Sequence, residues 1–252
     1  MSSSKSTAKA VGVLFIIATA ASLVNTSLTA TILDAPDYLH QLSTHSGQVV
    51  VGALMQFVSA VGSAGIAIAL YPVLRRYSEG LALGAVALRI VEGVFYMVGA
   101  LGLFSLLSLG QASAGADAAA APTYRILGTW TLAVRDEANF VLAVLSFCLG
   151  AGMYYAVFYR SRLVPRWLSV WGFAGLALLF SMAVWIAFGQ EPAGTTLVLA
   201  VPIAVQEMVL AVWLIVKGFN PSALAAGAHT ATPEQPRSDD HRQARTKVAD
   251  AH

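Results

Sequence analysis

Three side chains capable of acid–base or ion-pair chemistry lie within one long apolar stretch of the chain. Arg89, Glu92 and Tyr96 are spaced by three and four residues, so on a helix they share one face and Arg89 can pair with Glu92. A fourth group, Glu207, follows Gln206 in another apolar stretch. Ionisable groups are costly in apolar surroundings, so their presence indicates ion pairing or the binding of a proton, ion or polar ligand.

These side chains are expected to lie at a similar depth. At a helical rise of ~1.5 Å per residue, Arg89 is ~20 Å along the axis from Arg76, and Glu207 is ~15 Å from Lys217. We therefore predict a charged pocket in which Arg89 bridges Glu92 and Glu207, with Tyr96 and Gln206 beside it. The alternative is a buried ion cluster that fixes helix packing and binds no ligand.

A second polar group consists of Arg135, Asp136, Glu137 and Asn139. On a helix, Asn139 shares a face with both Arg135 and Asp136. One interpretation is a hydrated helix terminus, with the acidic residues near the positive end of the helix dipole. The other is an outer mouth that leads to the deeper charges.

Several classes of site are not indicated. Asp34, Asp37, His40 and His45 have side chains that suit zinc, but their spacing matches no common metal motif. The one cysteine, Cys148, cannot form an intramolecular disulfide. No nucleotide-binding or hydrolase motif is present, and a net charge of +2 gives no reason to expect nucleic acid. We predict no cofactor.

The composition indicates that lipid is the main solvent of the chain. Of its 252 residues, 57% are hydrophobic and 11% are charged, whereas a soluble domain carries about 25% charged residues. A helix needs about 20 apolar residues to cross a bilayer. We predict an all-α, polytopic transmembrane helix bundle of six spans: Ala10–Thr31, Val49–Tyr71, Leu81–Leu107, Asn139–Tyr159, Trp167–Phe188 and Thr195–Val216.

The charges alternate between the connections and predict an orientation. Basic residues flank one set of span ends, whereas the opposite set is mostly acidic. Because Lys and Arg collect on the cytoplasmic side, both termini are predicted to be cytoplasmic. The basic set comprises Lys5, Lys9, Arg75, Arg76, Arg160, Arg162, Arg166 and Lys217, and the acidic set comprises Asp34, Asp37, Asp117, Asp136, Glu137 and Glu191.

We make separate predictions for the N-terminal segment, for the stretch before the fourth span and for the C-terminal segment. The first span could instead be a cleaved signal peptide, although its removal would break the charge alternation. Thr123–Val134 is either an interfacial helix or an outer extension of the fourth span. Residues 1–219 are predicted to form the transmembrane domain. The segment 220–252 is polar and lacks apolar periodicity, so we predict a disordered cytoplasmic tail.

Two features of the sixth span bear on function. Pro202 removes a backbone hydrogen bond and is expected to kink the helix in mid-span. Ala200–Val209 aligns without gaps to Ala85–Val94, with Glu207 opposite Glu92. The two spans run in opposite directions, so this weak similarity is typical of an inverted three-plus-three repeat, as in secondary transporters.

Three segments resemble a known bacterial family. They are ALRIVEG in the third span, YRSRLVPRWLSVWG (Tyr159–Gly172) and QEMVLAVWLIVKGF (Gln206–Phe219). They are similar to the domain of unknown function 4386, a group of small multi-spanning proteins, over roughly Ala8–Phe219. The resemblance implies a six- or seven-span fold in the bacterial cytoplasmic membrane and no assigned activity. RDEANF in the fourth span is less similar, because the family often has His-Asp there, which argues against a histidine mechanism.

Three functions remain open at this stage. The first is a protein that binds or transports a small amphiphile or ion, with Glu92 and Glu207 titrating and Arg89 as the counter-charge. The second is an intramembrane enzyme acting on a lipid or isoprenoid, with either glutamate as general acid and Tyr96 assisting. The third is an accessory protein. A pocket open sideways to lipid favours the enzyme, and access from water favours transport. The expected partners are the bilayer and a small amphiphilic ligand, with no prediction of oligomeric state.

Overall fold

The computed structural model describes residues 2–189 and 198–230. Within these ranges the chain is helical and contains no strand. The helices are α1 (Ser2–Leu33), α2 (Tyr38–Thr44), α3 (Ser46–Leu74), α4 (Glu79–Ala114), α5 (Ala121–Asp136), α6 (Ala143–Ser161), α7 (Arg166–Ala187), α8 (Val201–Val216) and α9 (Pro221–Thr230). A π-helical segment, Glu137–Leu142, joins α5 to α6, and 3₁₀ turns at Ala118–Ala120 and Val198–Ala200 precede α5 and α8.

Among the described residues, six helical stretches are long and apolar enough to cross a membrane, so the predicted transmembrane bundle is confirmed. They are Ser4–Leu33, Ser46–Leu74, Glu79–Ala114, Ala118–Ser161, Arg166–Ala187 and Val198–Val216. The predicted start of the sixth span, Thr195, lies outside the described residues, as does Glu191. Which end faces the cytoplasm stays a prediction.

The six spans form a closed ring in chain order. Each of α1, α3, α4, α6 and α7 packs against the next span, and α8 returns to pack against α1. Successive spans run in opposite directions, so one end of the ring carries Arg75, Arg76, Arg160, Arg162, Arg166 and Lys217. We call this the basic end, and the opposite end, where α2 lies, the far end.

The ring order contradicts the predicted inverted repeat. An inverted repeat is related by a two-fold axis in the membrane plane. Such an axis reverses the order of the helices around a ring. The predicted repeat instead requires the first, second and third spans to superimpose on the fourth, fifth and sixth spans without any reversal of their order. The similarity between Ala85–Val94 and Ala200–Val209 therefore reflects two antiparallel helices that face one centre.

Small residues allow the ring to close. A β-carbon at Gly12 of α1 would lie 2.6 Å from the Ala211 carbonyl oxygen of α8. A β-carbon at Gly62 of α3 would lie 3.0 Å from that of Ala18 on α1. Membrane helices associate largely through such close backbone packing, because lipid provides no hydrophobic drive between them.

Two spans extend beyond the hydrocarbon layer at the far end. With 36 residues, α4 is ~54 Å long, whereas the hydrocarbon core is ~30 Å thick. The α5–α6 stretch is also nearly continuous, so Thr123–Val134 is the predicted extension of the fourth span rather than a separate interfacial helix. The extensions pack with α2 around a small apolar core that includes Leu42, Leu103 and Leu106.

Two predictions about the last span and the tail need correction. Pro202 lies in the first turn of α8, after a 3₁₀ turn, where a missing N–H costs no helical hydrogen bond, so it does not kink the helix in mid-span. The first residues of the predicted disordered tail form α9, which is held by the Tyr77 hydroxyl donating to the Ala223 carbonyl at 2.8 Å. Residues 231–252 of that tail lie outside the described residues.

Candidate site in the centre of the ring

A cavity of about 300 Å³ lies in the centre of the ring. Five of the six spans contribute polar groups to its wall, where the fourth span comprises α5, the π segment and α6. The polar lining residues are Thr19, Ser22, Asn25, Thr26, Gln56, Ser59, Ser63, Arg89, Glu92, Tyr96, Arg135, Asn139 and Glu207. The remaining wall is apolar and includes Phe15, Phe140, Phe147, Leu179, Met182 and Ile203.

Arg89 and Glu92 form a buried ion pair on α4. Arg89 Nη1 lies 3.0 Å from Glu92 Oε2, and both side chains are almost completely buried. The Arg89 Nε–H donates to the Ser63 carbonyl at 3.4 Å, and its guanidinium lies 4.7 Å from the centre of the Phe147 ring. These contacts hold Arg89 from three helices, which fixes its charge at the cavity wall.

Glu207 faces the same cavity from α8 but is held differently. Its Oε1 accepts a hydrogen bond from the Tyr154 hydroxyl at 3.4 Å. Arg89 is close enough for electrostatic attraction to Glu207, but within residues 2–189 and 198–230 only Glu92 pairs with it inside 4 Å. The predicted bridge from Arg89 to two carboxylates is therefore only half formed. Tyr96 lines the cavity, as predicted.

Three predicted site residues, Gln206, Asp136 and Glu137, do not line the cavity. Gln206 is fully buried, where its Oε1 accepts from the Tyr155 hydroxyl at 2.6 Å and its Nε2 donates to the Leu168 carbonyl at 2.9 Å. One residue along a helix turns the side chain by about 100°, so Gln206 joins α6, α7 and α8 while Glu207 faces the cavity. Glu137 is exposed on the outer side of the π segment.

A cluster of amides forms the wall near the far end. Gln56 Nε2 donates to Asn139 Oδ1 at 2.7 Å and to the Tyr96 carbonyl at 3.0 Å. Asn25 Nδ2 donates to Gln56 Oε1 at 3.4 Å. The cluster packs on Gly99, where any β-carbon would overlap both Asn139 and Gln56. It thus joins α1, α3, α4 and the π segment around the cavity.

The π-helical segment positions the fourth-span residues. It includes Asn139 and directly follows Arg135 and Asp136. Arg135 is buried, lines the cavity and forms an ion pair with the part-exposed Asp136. Arg135 and Asn139 are four residues apart and both face inward, and π segments such as this one are frequent at functional sites. Of the predicted outer-mouth residues, Arg135 and Asn139 line this cavity, whereas Asp136 and Glu137 do not.

Unpartnered polar atoms concentrate at this cavity. Buried side-chain atoms without a hydrogen-bond partner in the described chain are Asn25 Oδ1, Tyr38 OH, Ser63 Oγ, Arg89 Nη1, Glu92 Oε2, Arg135 Nε and Ser169 Oγ. All but Tyr38 and Ser169 belong to cavity-lining residues. Arg89 and Glu92 attract as ions, but the N–H does not point at the carboxylate oxygen. Native proteins rarely leave such groups unpaired without water or a ligand, so the cavity is suited to a polar occupant.

The cavity reaches the molecular surface along α1. Of its described lining residues, only Ser22, Leu23 and Thr26 are exposed, Leu23 at 65%. Ala200 and Ala204, at the start of the last span, also line the cavity. The opening among the described residues therefore faces sideways, between α1 and α8.

Sequence reasoning missed several lining residues that a regular spacing would have identified. Gln56, Ser59 and Ser63 on α3 repeat the three-and-four spacing of Arg89, Glu92 and Tyr96, and so do Thr19, Ser22 and Thr26 on α1. Uncharged polar residues are tolerated in membrane helices, so each set alone is weak. The same spacing on three neighbouring spans predicts one common polar face.

Comparison with known proteins identifies the family. The sequence matches the family described as domain of unknown function (DUF4386) over residues 10–218. The chain belongs to this family. No curated protein and no solved structure shows a significant match. Every residue that lines the cavity lies within the DUF4386 segment, from Phe15 to Glu207, whereas α9 begins after it.

Proposed function

We propose that this DUF4386 protein binds or transports a small amphiphile or ion at the central cavity, and that the preferred ligand is an amphiphile whose head donates hydrogen bonds. The observation that carries the proposal is the set of unpartnered polar atoms facing one cavity. Within the described chain, Asn25 Oδ1 receives no hydrogen bond, and Glu92 Oε2 lies 3.0 Å from its ion-pair partner Arg89 Nη1 without an aligned hydrogen bond. Glu207 accepts a long hydrogen bond from the Tyr154 hydroxyl at 3.4 Å.

The charge balance supports a cationic head. Arg89 offsets Glu92, and Arg135 offsets Asp136, which leaves Glu207 as the cavity-lining carboxylate that has no ion pair within the described chain. A ligand ammonium beside Glu207 would restore neutrality and gain charge-assisted hydrogen bonds, which are stronger than neutral ones.

The shape of the cavity supports entry from lipid. A volume of about 300 Å³ is at the small end of ligand sites, enough for a polar head but not for long acyl chains. A chain attached to that head can leave past Ser22, Leu23 and Thr26 into the bilayer. A free aqueous ion would have no need of this lateral opening.

The proposal is tested with a dansyl-labelled long-chain primary amine and the matching alcohol, each titrated into protein in phosphatidylcholine nanodiscs. We expect saturable binding of the amine, weaker binding of the alcohol, and a ten- to hundredfold loss of amine affinity in Glu207→Gln. A lost hydrogen bond to a charged group costs ~1.5–3 kcal/mol, and ~1.4 kcal/mol is tenfold.

Glu137→Gln is the matched control, because it removes one acidic charge from an exposed site outside the cavity. Its amine affinity should equal that of the unchanged protein. Equal binding of amine and alcohol, or no loss in Glu207→Gln, would contradict the proposal.

The lateral opening also favours a second candidate, an intramembrane enzyme that isomerises an isoprenoid double bond. Glu207 would donate its proton to one alkene carbon, which leaves a carbocation at the other alkene carbon. The carboxylate would then take a proton from the saturated carbon next to that cation, so the double bond moves and no other reactant is needed. Tyr154, rather than the predicted Tyr96, is the tyrosine in contact with this carboxyl. Farnesol incubated in D₂O distinguishes the candidates, since only the enzyme incorporates deuterium into carbon.

The third possibility, a purely accessory role, gives no reason for a cavity lined by unpaired polar atoms. We further propose the bacterial cytoplasmic membrane as the location, with the basic end on the cytoplasmic side. The support is the charge distribution, because basic connections are retained on that side.

A further inference from the structure

A second cleft lies at the basic end and shares no residue with the central cavity. It has a volume of about 650 Å³ and lies where the end of α8 meets the turn between α6 and α7. Arg162, Pro165 and Arg166 line one side, and Trp213 and Lys217 line the other. Two loops that are distant in sequence therefore enclose one space.

The charges around this cleft are of one sign. Arg162, Arg166 and Lys217 are exposed and line it together, and none of the described residues that line it is acidic. Across the described parts of the chain, no carboxylate lies within 4 Å of these three cations. The general preference for basic residues on one side of a membrane explains their presence at this end, but it does not explain why three converge on one cleft.

The backbone around the cleft is held in a specific conformation. Arg162 has φ 57°, the only positive φ of a non-glycine residue in the described chain. Asn220 fastens this turn, because its N–H donates to the Leu163 carbonyl at 2.9 Å and its side chain donates to the Arg162 carbonyl at 3.3 Å. Strained backbone of this kind persists where surrounding contacts maintain it, and it clusters at binding sites.

The first turn of α7 adds further donors. This 22-residue helix begins at Arg166, and no side chain of the described chain caps its N-terminus, although the Leu168 N–H already donates to the Pro165 carbonyl at 3.0 Å. Uncapped N–H groups and the positive end of the helix dipole favour a phosphate. The Arg166 guanidinium lies 5.1 Å from the centre of the Tyr159 ring, which restricts it near this turn.

The surroundings match the boundary between lipid and water. Trp167 and Trp171 stack with ring centres 6.3 Å apart, next to Arg166, and Trp213 forms part of the cleft wall. Tryptophan and tyrosine are enriched where acyl chains meet head groups. A phosphate at this level would therefore be at the depth of a phospholipid head.

We propose that this cleft binds the phosphate of an anionic phospholipid head group. Arg162, Arg166 and Lys217 supply the charges, the first turn of α7 supplies backbone donors, and Trp213 contacts the glycerol region. Basic pockets at the ends of membrane helices bind anionic lipid heads by this chemistry. The same groups would also accept a free phosphate ion, so the experiment must separate the two sources.

The experiment measures lipid retention by native mass spectrometry on the full chain in a zwitterionic detergent. Phosphatidylglycerol, phosphatidylcholine and inorganic phosphate are added separately, and phosphate is also tested as a competitor. The variant is Arg162→Asn/Arg166→Gln/Lys217→Gln, with asparagine at 162 because it tolerates a positive φ. The control, Arg75→Gln/Arg76→Gln/Arg160→Gln, removes three charges from the same end outside the cleft.

We expect preferential retention of phosphatidylglycerol, reduced about a hundredfold in the cleft variant, since each basic residue near an anionic lipid contributes ~1 kcal/mol. The control should change retention less than about threefold, because it preserves the cleft.

Equal losses in both variants would overturn the proposal in favour of general surface charge. Competition by inorganic phosphate at similar concentrations would also overturn it and assign the cleft to a soluble anion. If the triple variant does not fold, Arg166→Gln alone should show a smaller loss of the preference for phosphatidylglycerol over phosphatidylcholine. An unchanged preference in Arg166→Gln would count against the site.

Discussion

At the residue scale, the two glutamates in the cavity have different roles because their partners differ. Glu92 is paired with Arg89 one helical turn away, whereas Glu207 accepts a hydrogen bond from the Tyr154 hydroxyl at 3.4 Å and has no cation within 4 Å in the described chain. Helical spacing predicted the first pair. The second could not be predicted, because the rotation of α8 about its axis is set by Gln206 packing against α6 and α7, and sequence alone does not show that contact.

The ion pair leads to a prediction about stability. Arg89→Gln leaves Glu92 as a buried charge without a cation, which costs ~3–5 kcal/mol. The double variant Arg89→Gln/Glu92→Gln removes both charges and should recover most of that loss. Unfolding by denaturant in detergent measures both values. A double variant as unstable as the single one would show that Arg89 acts through packing on Phe147 rather than through charge.

At the element scale, the lengths and joints of the helices were harder to predict than their existence. Hydropathy predicted six spans, and α4 extends to Ala114 because α2 and α5 cover its far end. The π segment had no signal in the sequence, because its register change is maintained by Asn139 bonding to Gln56 on another helix. Contacts between elements that are distant in sequence therefore account for most of the differences between the predicted and the observed helices.

Helix α9 provides the prediction at this scale. Tyr77→Phe removes the hydroxyl that bonds the Ala223 carbonyl, so amide hydrogen exchange across Pro221–Thr230 should speed up by about fivefold or more, as for a lost hydrogen bond of ~1 kcal/mol. Tyr71→Phe is the control and should leave this exchange unchanged. Unaltered exchange in Tyr77→Phe would show that apolar contacts alone hold α9.

The same contact has a defined pH dependence. Burial raises the pKa of Tyr77 above its ordinary value, and nearby Arg76 opposes this to a lesser extent. A raised pKa favours the neutral hydroxyl in the folded state, so the contact persists through neutral pH and is lost as the pH rises through that pKa. Exchange of α9 should therefore be insensitive to pH near neutrality once the intrinsic exchange rate is corrected.

At the scale of the whole molecule, the ring converts several weak polar stripes into one site. Each of α1, α3 and α4 carries polar residues at the same spacing, and ring closure by α8 turns Glu207 toward them. The spans and the charged residues were predictable from local pattern. The cavity was not, since it depends on α1 meeting α8, which are the first and last of the six spans.

The central claim is that a hydrogen-bond-donating head occupies this cavity and that its chain leaves between α1 and α8. A structure determined at high resolution from protein purified with its native lipid tests this most directly. The account predicts elongated density with its polar end between Glu92 and Glu207 and its tail passing Ser22 and Leu23. A cavity containing only ordered water, with Arg89 bridging both glutamates, would contradict it.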